Sequence, residues 1–531
     1  MTPRRGLVLA CGLAAVAVAI AWAIRWGTDD SYITFVYARE LVRGHGITWF
    51  GTQIEGYTNF AWVLWSALGL KLGANPLWWA WGASLAALAA TIVTTYRIAA
   101  VRATPLAGLG AAAILATNFT FVAFGTSGLE TMLQSALLAS AWLELERLRR
   151  APPGIESAAV LSLIAALALW TRLDSAPMLA VIGVVAVHRF ATQKASIRTW
   201  IALVMPAFVL VGGWFLWKVA TYGDVLPNTF YVKAGTGSVA HGAAYVATFL
   251  HAYLLWPVLV AVAVLAIVRR RLASALPLAL VAAHVAYVIA VGGDFMEFRF
   301  CVPLLPPLAL AFAELATTAA PERVPSANLR TLALVAALAA VSWRHAATFD
   351  GNGDFTIDSV RAMRTFYDKV ADNDWAPLGT NLRTALGELK PTIATDGAGA
   401  IPYFSDLPTI DQLGLNDAWV AHHGRPAPEG YLRPGHQRYA TLEYLMAQRV
   451  TFVLGQPIVI ERGGLANRRE LPTVTTWLGT VLGPAQTYAG PYEVVGAPLD
   501  DEHELLMWYL TPDPATTARI AGWDHLRLRA R

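Results

Sequence analysis

Long apolar runs alternate with short polar segments over the first 347 residues. A helical crossing of the ~30 Å hydrocarbon core of a membrane takes roughly 20 apolar residues. The run at 156–190 is too long for one crossing, because about 35 helical residues rise about 52 Å, so its polar TRLDS stretch predicts a turn. The pattern therefore predicts about eleven spans, near residues 6–26, 76–100, 106–124, 129–147, 156–171, 173–190, 199–222, 244–268, 272–291, 300–319 and 328–346.

Composition agrees with a membrane protein. Of 531 residues, 56% are hydrophobic and 14% are charged, and the mean hydropathy is +0.47, outside the range of soluble domains. The net charge of +4 does not predict nucleic-acid binding, because Arg and Lys form short clusters between apolar runs. The two cysteines, Cys11 and Cys301, are too far apart in sequence to indicate a disulfide framework or a cysteine metal cluster.

The first apolar run has two interpretations, a signal peptide or a membrane span. It follows a basic start, but no small-residue cleavage site precedes Trp26. We interpret it as a span whose basic end stays in the cytoplasm. Asp29 and Asp30 then emerge on the external side.

The segment 57–73 decides the sidedness of all later loops. If it crossed the membrane, the basic clusters that follow would face outward, against the positive-inside rule: Arg97, Arg102, Arg147, Arg149, Arg150, Arg189, Lys194, Arg198 and Arg269 to Arg271. We therefore predict a re-entrant or interfacial helix at 57–73. The TRLDS, 223–243 and GGDFMEFR segments then become external.

Two domains follow from this pattern. Residues 1–347 form the membrane domain, with a first external loop at 27–75, and residues 348–531 form a soluble α/β domain outside the cytoplasm. In the second domain, the runs PTIATD, VTFVLG, YEVVG and LLMWYL predict strands, and SVRAMRTFYDKVAD predicts a helix. The fold class is a polytopic α-helical membrane protein with interfacial helices and a C-terminal soluble α/β domain.

Charged and polar side chains recur near predicted helix ends on the external side. They are Asp29, Asp30, Glu55, Glu130, Arg172, Asp174, Lys218, Tyr222, Lys233, Asp294, Glu297 and Arg299. A charge within the bilayer costs at least ~2.5 kcal/mol, so these groups should line a wet cavity or pair with one another. The alternative for each is an interfacial anchor or a local ion pair; for the first loop, Thr28 or Asp29 would cap the helix at 31–43 while Asp30 complements its dipole.

An external cavity with acids and cations suits a lipid-linked phosphate substrate. Cations neutralise the phosphate, an apolar groove holds the polyprenyl tail, and a carboxylate performs acid–base or nucleophilic chemistry at the sugar. Sugar transfer outside the cytoplasm needs such a donor because nucleotide sugars are absent there. Neither GLGAAA nor GNGDF has the context of a nucleotide-binding loop.

Several motifs in order resemble the GT-C glycosyltransferase superfamily. They are DDSYITFVYARELVRGHG, EGYTNF, GLET, TRLDS, PNTFYVKAG, GGDFMEFRF and DGAGAIPYFSDLPTIDQLGLND. Within it the chain most resembles the terminal β-(1→2)-arabinofuranosyltransferases of the mycobacterial cell wall. The resemblance implies transfer of arabinofuranose from decaprenyl-phosphate arabinofuranose to a cell-wall or surface glycan, with the active site on the periplasmic side of the bacterial plasma membrane.

The resemblance also assigns roles to residues. The catalytic role of the first-loop acid in GT-C enzymes falls to Asp29 and Asp30, and the sequence does not choose between them. Charge and sidedness make Lys233, Arg299 and Arg172 candidates for the donor phosphate. Candidates for sugar or acceptor binding are Glu55, Tyr57, Asp294, Tyr222 and Asp411. Retention of the anomeric configuration in this branch favours a nucleophilic acid, but the sequence gives no carboxylate separation.

Other interpretations remain open at this stage. A metal site could form from Asp411, Asn416, Asp417, His422, His423 and His436, although turn formation and solvent exposure explain these residues more simply; we predict no metal and no cofactor. The outer domain has no evident carbohydrate-binding module, which leaves the acceptor open. The alternatives are transfer of another sugar to protein or lipid A, or a transporter or flippase of lipid-linked sugar. We expect a monomer whose partners are donor, glycan acceptor and membrane lipid.

Overall fold

The computed structural model describes residues 2–234, 239–257, 259–260, 264, 272–318, 326–353, 356–368, 375–427, 433–482, 488 and 490–529. Helices dominate up to residue 348, with bounds Pro3–Ala23, Asp29–Val42, Phe60–Lys71, Pro76–Arg102, Pro105–Thr117, Phe119–Ala123, Thr131–Arg150, Ile155–Thr171, Ala176–Thr192, Ile197–Tyr222, Asn228–Ala234, Val239–Ala252, Leu272–Ala290, Leu305–Thr318 and Ala327–Thr348. Short 3-10 helices cover Leu173–Ser175 and Arg299–Leu304.

Within the described parts of the chain, six helical segments are long and apolar enough to cross a membrane. They are Arg4–Ala23, Pro76–Arg102, Leu173–Thr192, Ile197–Tyr222, Arg299–Thr317 and Ala327–Thr348. Further apolar helices are shorter, such as Pro105–Thr117 and Ile155–Thr171. The chain is thus a multi-pass membrane protein, while the count of eleven spans stays a prediction.

The structure tests three of the segment predictions. The turn predicted inside 156–190 is confirmed, because one helix ends at Thr171 and the next begins at Ala176. The 57–73 segment contains the helix Phe60–Lys71, which at 12 residues is about 18 Å long, too short to span. The prediction of one continuous helical span at 244–268 is wrong. The helix that contains residue 244 ends at Ala252. Leu254 follows with a φ of 48°, which α-helices do not accommodate.

Basic helix ends meet at one end of the bundle. Arg102 donates to Glu146 and to Glu314, each at 2.8 Å, and Arg189 donates to the carbonyl of Leu148. These residues lie in the segments predicted to face the cytoplasm. The triplet Arg269 to Arg271 lies outside the described residues. The outer domain packs against the opposite end, which we call the domain end.

The outer domain contains a mixed sheet. Its strands are β3 (Ile393–Thr395), β4 (Thr409–Asp411), β7 (Phe452–Gly455), β8 (Val459–Glu461), β9 (Tyr492–Pro498), β10 (His503–Tyr509) and β11 (Asp524–Leu528), in the order β11-β9-β10-β7-β3-β4 with β8 against β10. Two small pairs join β1 (Gly351–Asn352) to β2 (Ile357–Asp358) and β5 (Arg425–Pro426) to β6 (Arg438–Tyr439). The four predicted strands are confirmed as β3, β7, β9 and β10.

Helices cover both faces of this sheet. Alternate residues of β10 enter different cores: Leu506 and Trp508 join one cluster, and Leu505, Met507 and Tyr509 join the other. A strand buried on both faces reads as a continuous apolar run, as LLMWYL does. The helices are Val360–Asp368, Trp375–Leu386, Ala400–Ser405, Ala418–His423, Leu442–Ala447, Leu471–Leu482 and Pro514–Arg519; the first confirms the predicted helix as far as the described residues extend.

The first external helix, Asp29–Val42, lies between the membrane domain and the outer domain. Arg43 binds Asp406 through two hydrogen bonds of 2.8 Å, and the indole of Trp49 donates to the carbonyl of Thr409 at 2.8 Å. Val36 is fully buried. The sequence pattern at 31–43, with Ile33, Val36 and Leu41 on one face, predicts a helix that lies in the membrane interface. In the structure, contacts with the outer domain cover this helix instead.

Candidate active site

The adjacent acids Asp29 and Asp30 point to different surroundings. Successive residues of an α-helix diverge by about 100° around its axis. The carboxylate of Asp29 accepts backbone N–H groups of Gly399, at 3.0 Å, and Ala400, at 2.6 Å. It therefore binds the N-terminus of the outer-domain helix Ala400–Ser405. A Cβ on Gly399 would lie 2.0 Å from the Asp29 carbonyl oxygen, so this approach requires glycine.

The sequence offered Thr28 or Asp29 as the cap of the first external helix, and the structure corrects this alternative. Thr28 occupies the N-cap position of Asp29–Val42 but makes no side-chain capping hydrogen bond, and Asp29 caps a helix about 370 residues later in the chain. Burial raises the pKa of Asp29 to about 7, although the Ala400 N–H lowers it. Asp29 thus has a structural role at the contact between the two domains.

Asp30 lines a cavity at the domain end. Among the described residues, its carboxylate makes no hydrogen bond and no ion pair. Burial raises the pKa of Asp30, while the positive charges of Arg299 and Lys233 act in the opposite direction. Asp30 is therefore a carboxylate in a low-dielectric site, open to a ligand and next to two cations.

The cavity has a volume of about 520 Å³, within the size range of small-molecule sites. Its apolar wall includes Ile33, Phe230, Tyr287, Ala290 and Val291. Its polar wall includes Asp30, Thr34, Tyr57, Asn59, Glu130, Arg172, Asp174, Thr229, Lys233 and Arg299, and Leu415 of the outer domain closes one side. Five predicted external segments, widely separated in sequence, therefore meet here.

Two of the predicted phosphate ligands lie beside Asp30. Arg299 binds Asp294 at 2.6 Å, and the Asp294 carboxylate also accepts the Phe295 N–H. Desolvation lowers the pKa of Lys233, opposed by the charge of Asp294. Asp294 thus orients Arg299, which lines the cavity, although Asp294 itself is not part of the cavity wall.

The third predicted phosphate ligand, Arg172, also lines the cavity, but it is held in an ion cluster with two carboxylates. It binds Glu130 at 2.6 Å and Asp174 at 2.6 Å, and its guanidinium lies over the ring of Phe300. Asn59 donates to the second oxygen of Glu130 at 2.7 Å. Two carboxylates already neutralise Arg172, so its contact with a phosphate stays a prediction.

One of the predicted sugar-binding residues lines the cavity, and the others do not. Tyr57 lines the cavity, and its hydroxyl hydrogen-bonds that of Tyr222 at 3.1 Å. Tyr222 in turn donates to the carbonyl of Ile47 and is not part of the cavity wall. Glu55 forms a buried ion pair of 2.9 Å with Lys218. Tyr57 alone of these residues is placed to contact a ligand in the cavity.

Asp411 does not line the cavity but stabilises a turn that does. Its carboxylate accepts the backbone N–H groups of Leu413, at 3.0 Å, and Asn416, at 2.8 Å. This turn presents Leu415 to the cavity and places the Asn416 amide oxygen 3.0 Å from the Tyr37 hydroxyl. A Cβ on Gly56 would lie 2.0 Å from that amide oxygen. Asp411 is therefore a positioning residue.

The residues considered for a metal do not converge. Asp417 caps the helix Ala418–His423, whose His422 and His423 are exposed. His436 lies against the ring of Phe295, and burial lowers its pKa to about 3. Within the described ranges, no group of three or more His, Cys, Asp or Glu side chains is arranged to hold a metal ion.

Sequence reasoning missed two further residues whose electrostatic interactions involve Asp30. Arg433 lowers the pKa of Asp30 by its charge and donates to Asp358 at 2.6 Å. Tyr367 has a pKa raised by burial and by the charges of Asp29 and Asp30. Both belong to the outer domain, and only the tertiary fold brings them to the first external loop.

One family profile matches part of the chain, and solved structures resemble most of it. A family profile described as a domain of unknown function, DUF8728, matches residues 367–504. No curated protein matches the chain. ArnT from Cupriavidus metallidurans, crystallised bound to undecaprenyl phosphate, superposes with a TM-score of 0.56 and 12% identity, over 95% of this chain and 98% of ArnT.

A second similar structure is the archaeal oligosaccharyltransferase AglB from Archaeoglobus fulgidus, in complex with an inhibitory peptide and a dolichol-phosphate. Its TM-score is 0.51 at 11% identity, and the match covers 93% of this chain and 74% of AglB. At such identities the likeness concerns the fold. The GT-C fold predicted from the sequence, with apolar helices and a C-terminal domain that contains a sheet, is confirmed.

Proposed function

We propose that the protein is a membrane glycosyltransferase that takes a sugar from a polyprenyl-phosphate donor and passes it to an acceptor hydroxyl. The observation that carries this proposal is the cavity in which Asp30, without a hydrogen-bond partner among the described residues, lies beside Lys233 and Arg299. A phosphate and a sugar carbon need these two kinds of group close together.

The reaction breaks the bond between the anomeric carbon and the phosphate oxygen. Lys233 and Arg299 stabilise the charge that develops on the departing polyprenyl phosphate. The acceptor hydroxyl oxygen forms the new bond, and Asp30 takes part in one of two ways. It acts as a base that receives the hydroxyl proton, or as a nucleophile that first forms a glycosyl ester; in that case the acceptor oxygen then breaks the ester bond, Asp30 leaves as the carboxylate, and the hydroxyl proton passes to the departed polyprenyl phosphate. The first way inverts the anomeric configuration and the second retains it.

Structural relatives support the donor class. ArnT was crystallised bound to undecaprenyl phosphate and AglB in complex with a dolichol-phosphate, which are both polyprenyl phosphates. We further propose arabinofuranose as the sugar and the periplasmic side of a bacterial plasma membrane as the location, on the sequence resemblance. The acceptor in this proposal is a cell-wall or surface glycan.

A donor panel tests the proposal. Purified protein is given decaprenyl phosphate that carries arabinofuranose, ribofuranose, mannose or aminoarabinose, with glycan, peptide and lipid A acceptors, and products are identified by mass spectrometry. We expect arabinofuranose transfer to glycan, full activity in EDTA, and a ¹³C NMR spectrum that assigns the anomeric configuration. Another preferred sugar would change the donor assignment, and loss of activity in EDTA restored by a divalent ion would show a metal requirement.

Arg299→Gln tests the phosphate role, with Arg462→Gln on the outer-domain surface as a matched control. We expect Arg299→Gln to weaken donor binding about tenfold or more, because charge-assisted contacts to phosphate are strong, and the control to bind normally. Lipid-linked sugar that crosses vesicle membranes without any glycosidic product would instead indicate a transporter or flippase.

A further inference from the structure

Glu297 is a buried acid that the proposed reaction does not use. Its side chain is 1% exposed, and it lies two residues before Arg299, which lines the cavity at Asp30. Arg299 itself pairs with Asp294. A carboxylate removed from water is costly unless hydrogen bonds compensate for the loss. The partners of Glu297 therefore indicate what it does.

The carboxylate of Glu297 accepts hydrogen bonds from three separate parts of the molecule. One oxygen accepts the hydroxyl of Thr120, at 3.2 Å, and the Nε2–H of His345, at 2.9 Å. The other oxygen accepts the backbone N–H of Val360, at 2.8 Å. Thr120 and His345 belong to helices of the membrane domain, whereas Val360 begins the outer-domain helix Val360–Asp368. Glu297 therefore fastens its own loop to both domains.

The loop that carries Glu297 and Arg299, residues 294–299, is also held through its backbone, and we call it the Arg299 loop. The N–H of Glu297 donates to the carbonyl of Asp358 at 3.0 Å. In return, the N–H of Asp358 donates to the carbonyl of Phe295 at 2.8 Å. Asp358 belongs to β2 of the outer domain. The loop thus forms a short β-bridge to that domain, next to the side-chain contacts of Glu297.

Phe298, between Glu297 and Arg299, has a left-handed backbone conformation. Its φ is 47°, which is unfavourable for a residue with a side chain and persists where surrounding contacts impose it. Its ring packs against that of His345, with centroids 5.5 Å apart, and His345 also binds Glu297. The contacts on both sides of Phe298 therefore set the direction in which the chain enters Arg299.

We propose that Glu297 is a positioning residue for phosphate recognition, which acts by holding Arg299 in the orientation that the phosphate of the lipid donor needs. Asp294 orients the guanidinium, and Glu297 fixes the backbone from which that side chain starts. An arginine that is ordered before binding loses less conformational entropy when it meets its ligand. The inference rests on the proposed function, because it concerns the phosphate site of the same cavity.

Lipid binding to the full-length protein tests this role. Native mass spectrometry measures the affinities for decaprenyl phosphate and for decaprenol, which has the same chain without the phosphate. We expect the wild type to prefer decaprenyl phosphate at least about tenfold, and Glu297→Ala to lower this preference roughly fivefold. Binding of decaprenol should stay unchanged, because a general loss of structure would weaken both lipids alike.

Two further variants separate positioning from charge and from stability. Glu297→Gln keeps a carbonyl oxygen for the Val360 N–H, and His345 can present its unprotonated ring nitrogen to the new amide, so the preference should stay within about twofold of the wild type. Glu146→Ala is the matched control. Glu146 is also buried and accepts hydrogen bonds from Arg102 and Trp142, but at the end of the bundle away from the outer domain. This control should keep the full preference.

A double variant tests whether the effect passes through Arg299. If Glu297 acts by positioning Arg299, then Glu297→Ala combined with Arg299→Gln should show the same preference as Arg299→Gln alone, because residues that act through one contact are not additive. If Glu297→Ala does not fold, His345→Phe takes its place, since it removes the N–H donor, keeps an aromatic ring and should also lower the preference.

Three results would overturn the inference. They are an unchanged preference in the folded Glu297→Ala or His345→Phe variant, a loss in Glu297→Gln as large as in Glu297→Ala, and additive losses in the double variant. Equal binding of decaprenyl phosphate and decaprenol by the wild type would instead remove the proposed function, because the cavity would then hold no phosphate site. The two failures are therefore distinguishable.

Discussion

Replacement of the two neighbouring acids gives opposite results if their roles are as described. Asp30→Asn keeps the size of the side chain but removes the charge that faces the cavity lined by Lys233 and Arg299. Asp29→Asn removes one of two oxygen acceptors from the N–H groups of Gly399 and Ala400. The first change should affect turnover, and the second should affect the contact between the domains.

Magnitudes follow from the contacts. A positioned acid or base contributes about 10²–10⁴ in rate, which corresponds to roughly 3–5 kcal/mol of transition-state stabilisation. We therefore expect Asp30→Asn to lose at least about 100-fold in kcat, with donor affinity within about threefold. Asp29→Asn loses one hydrogen bond to a charged group, about 1.5–3 kcal/mol of stability, and keeps turnover within about tenfold.

The assay combines initial rates of donor consumption with donor binding and thermal unfolding on the same preparations. Each rate is divided by the folded fraction, so a loss of protein is not counted as a loss of chemistry. Normal turnover by a folded Asp30→Asn variant would refute the catalytic role of Asp30. A 100-fold loss in Asp29→Asn with unchanged unfolding would reverse the two roles.

Four further outcomes are expected. Because the folded pKa of Asp29 is raised to about 7, the folded state binds more protons, so wild-type stability should rise as pH falls from about 7 towards 4; comparison of unfolding with Asp29→Asn should show a shallower slope in the variant. Lys233→Arg should extend activity to higher pH, since the pKa of Lys233 is lowered while Arg stays charged; coincident alkaline limbs in kcat/KM profiles would contradict this. Gly399→Ala should cost about 1–3 kcal/mol of stability through overpacking, whereas Gly522→Ala, where a Cβ meets no atom within 4 Å, should cost much less in the same unfolding assay. Lys218→Met should cost about 3–5 kcal/mol by leaving Glu55 buried without its partner, and the double variant with Glu55→Gln should recover most of that loss; an equally unstable double variant would argue against the ion pair.

Patterns set by length and periodicity were predictable from the sequence. The polar TRLDS stretch had to interrupt 156–190 because one bilayer cannot hold so long a helix, and the structure ends a helix at Thr171. The apolar run of β10 indicated a strand in the sheet core. Leu254 shows the limit of this reasoning, because hydropathy does not register a single residue with left-handed backbone geometry.

The sequence also predicted which charged residues lie at the domain end of the bundle. Sidedness predicted that the external acids and cations line a wet cavity or pair with one another, and the structure places Asp30, Lys233 and Arg299 in the wall of one cavity. Sidedness did not distinguish Asp30 from Asp29, because the distinction depends on an outer-domain helix that follows much later. Arg433 carried no local signal at all, since its charge reaches Asp30 only through the packing of the two domains.

The outer domain therefore completes the site rather than only covering it. Its Gly399 and Ala400 N–H groups hold Asp29, which sets the start of the helix whose next residue is Asp30. Its Leu415 closes one side of the cavity that Asp30 lines. Since the contacts of one domain orient the carboxylate of the other, separation of the domains should disorder the cavity at Asp30, and a membrane domain expressed alone should bind donor weakly and transfer no sugar.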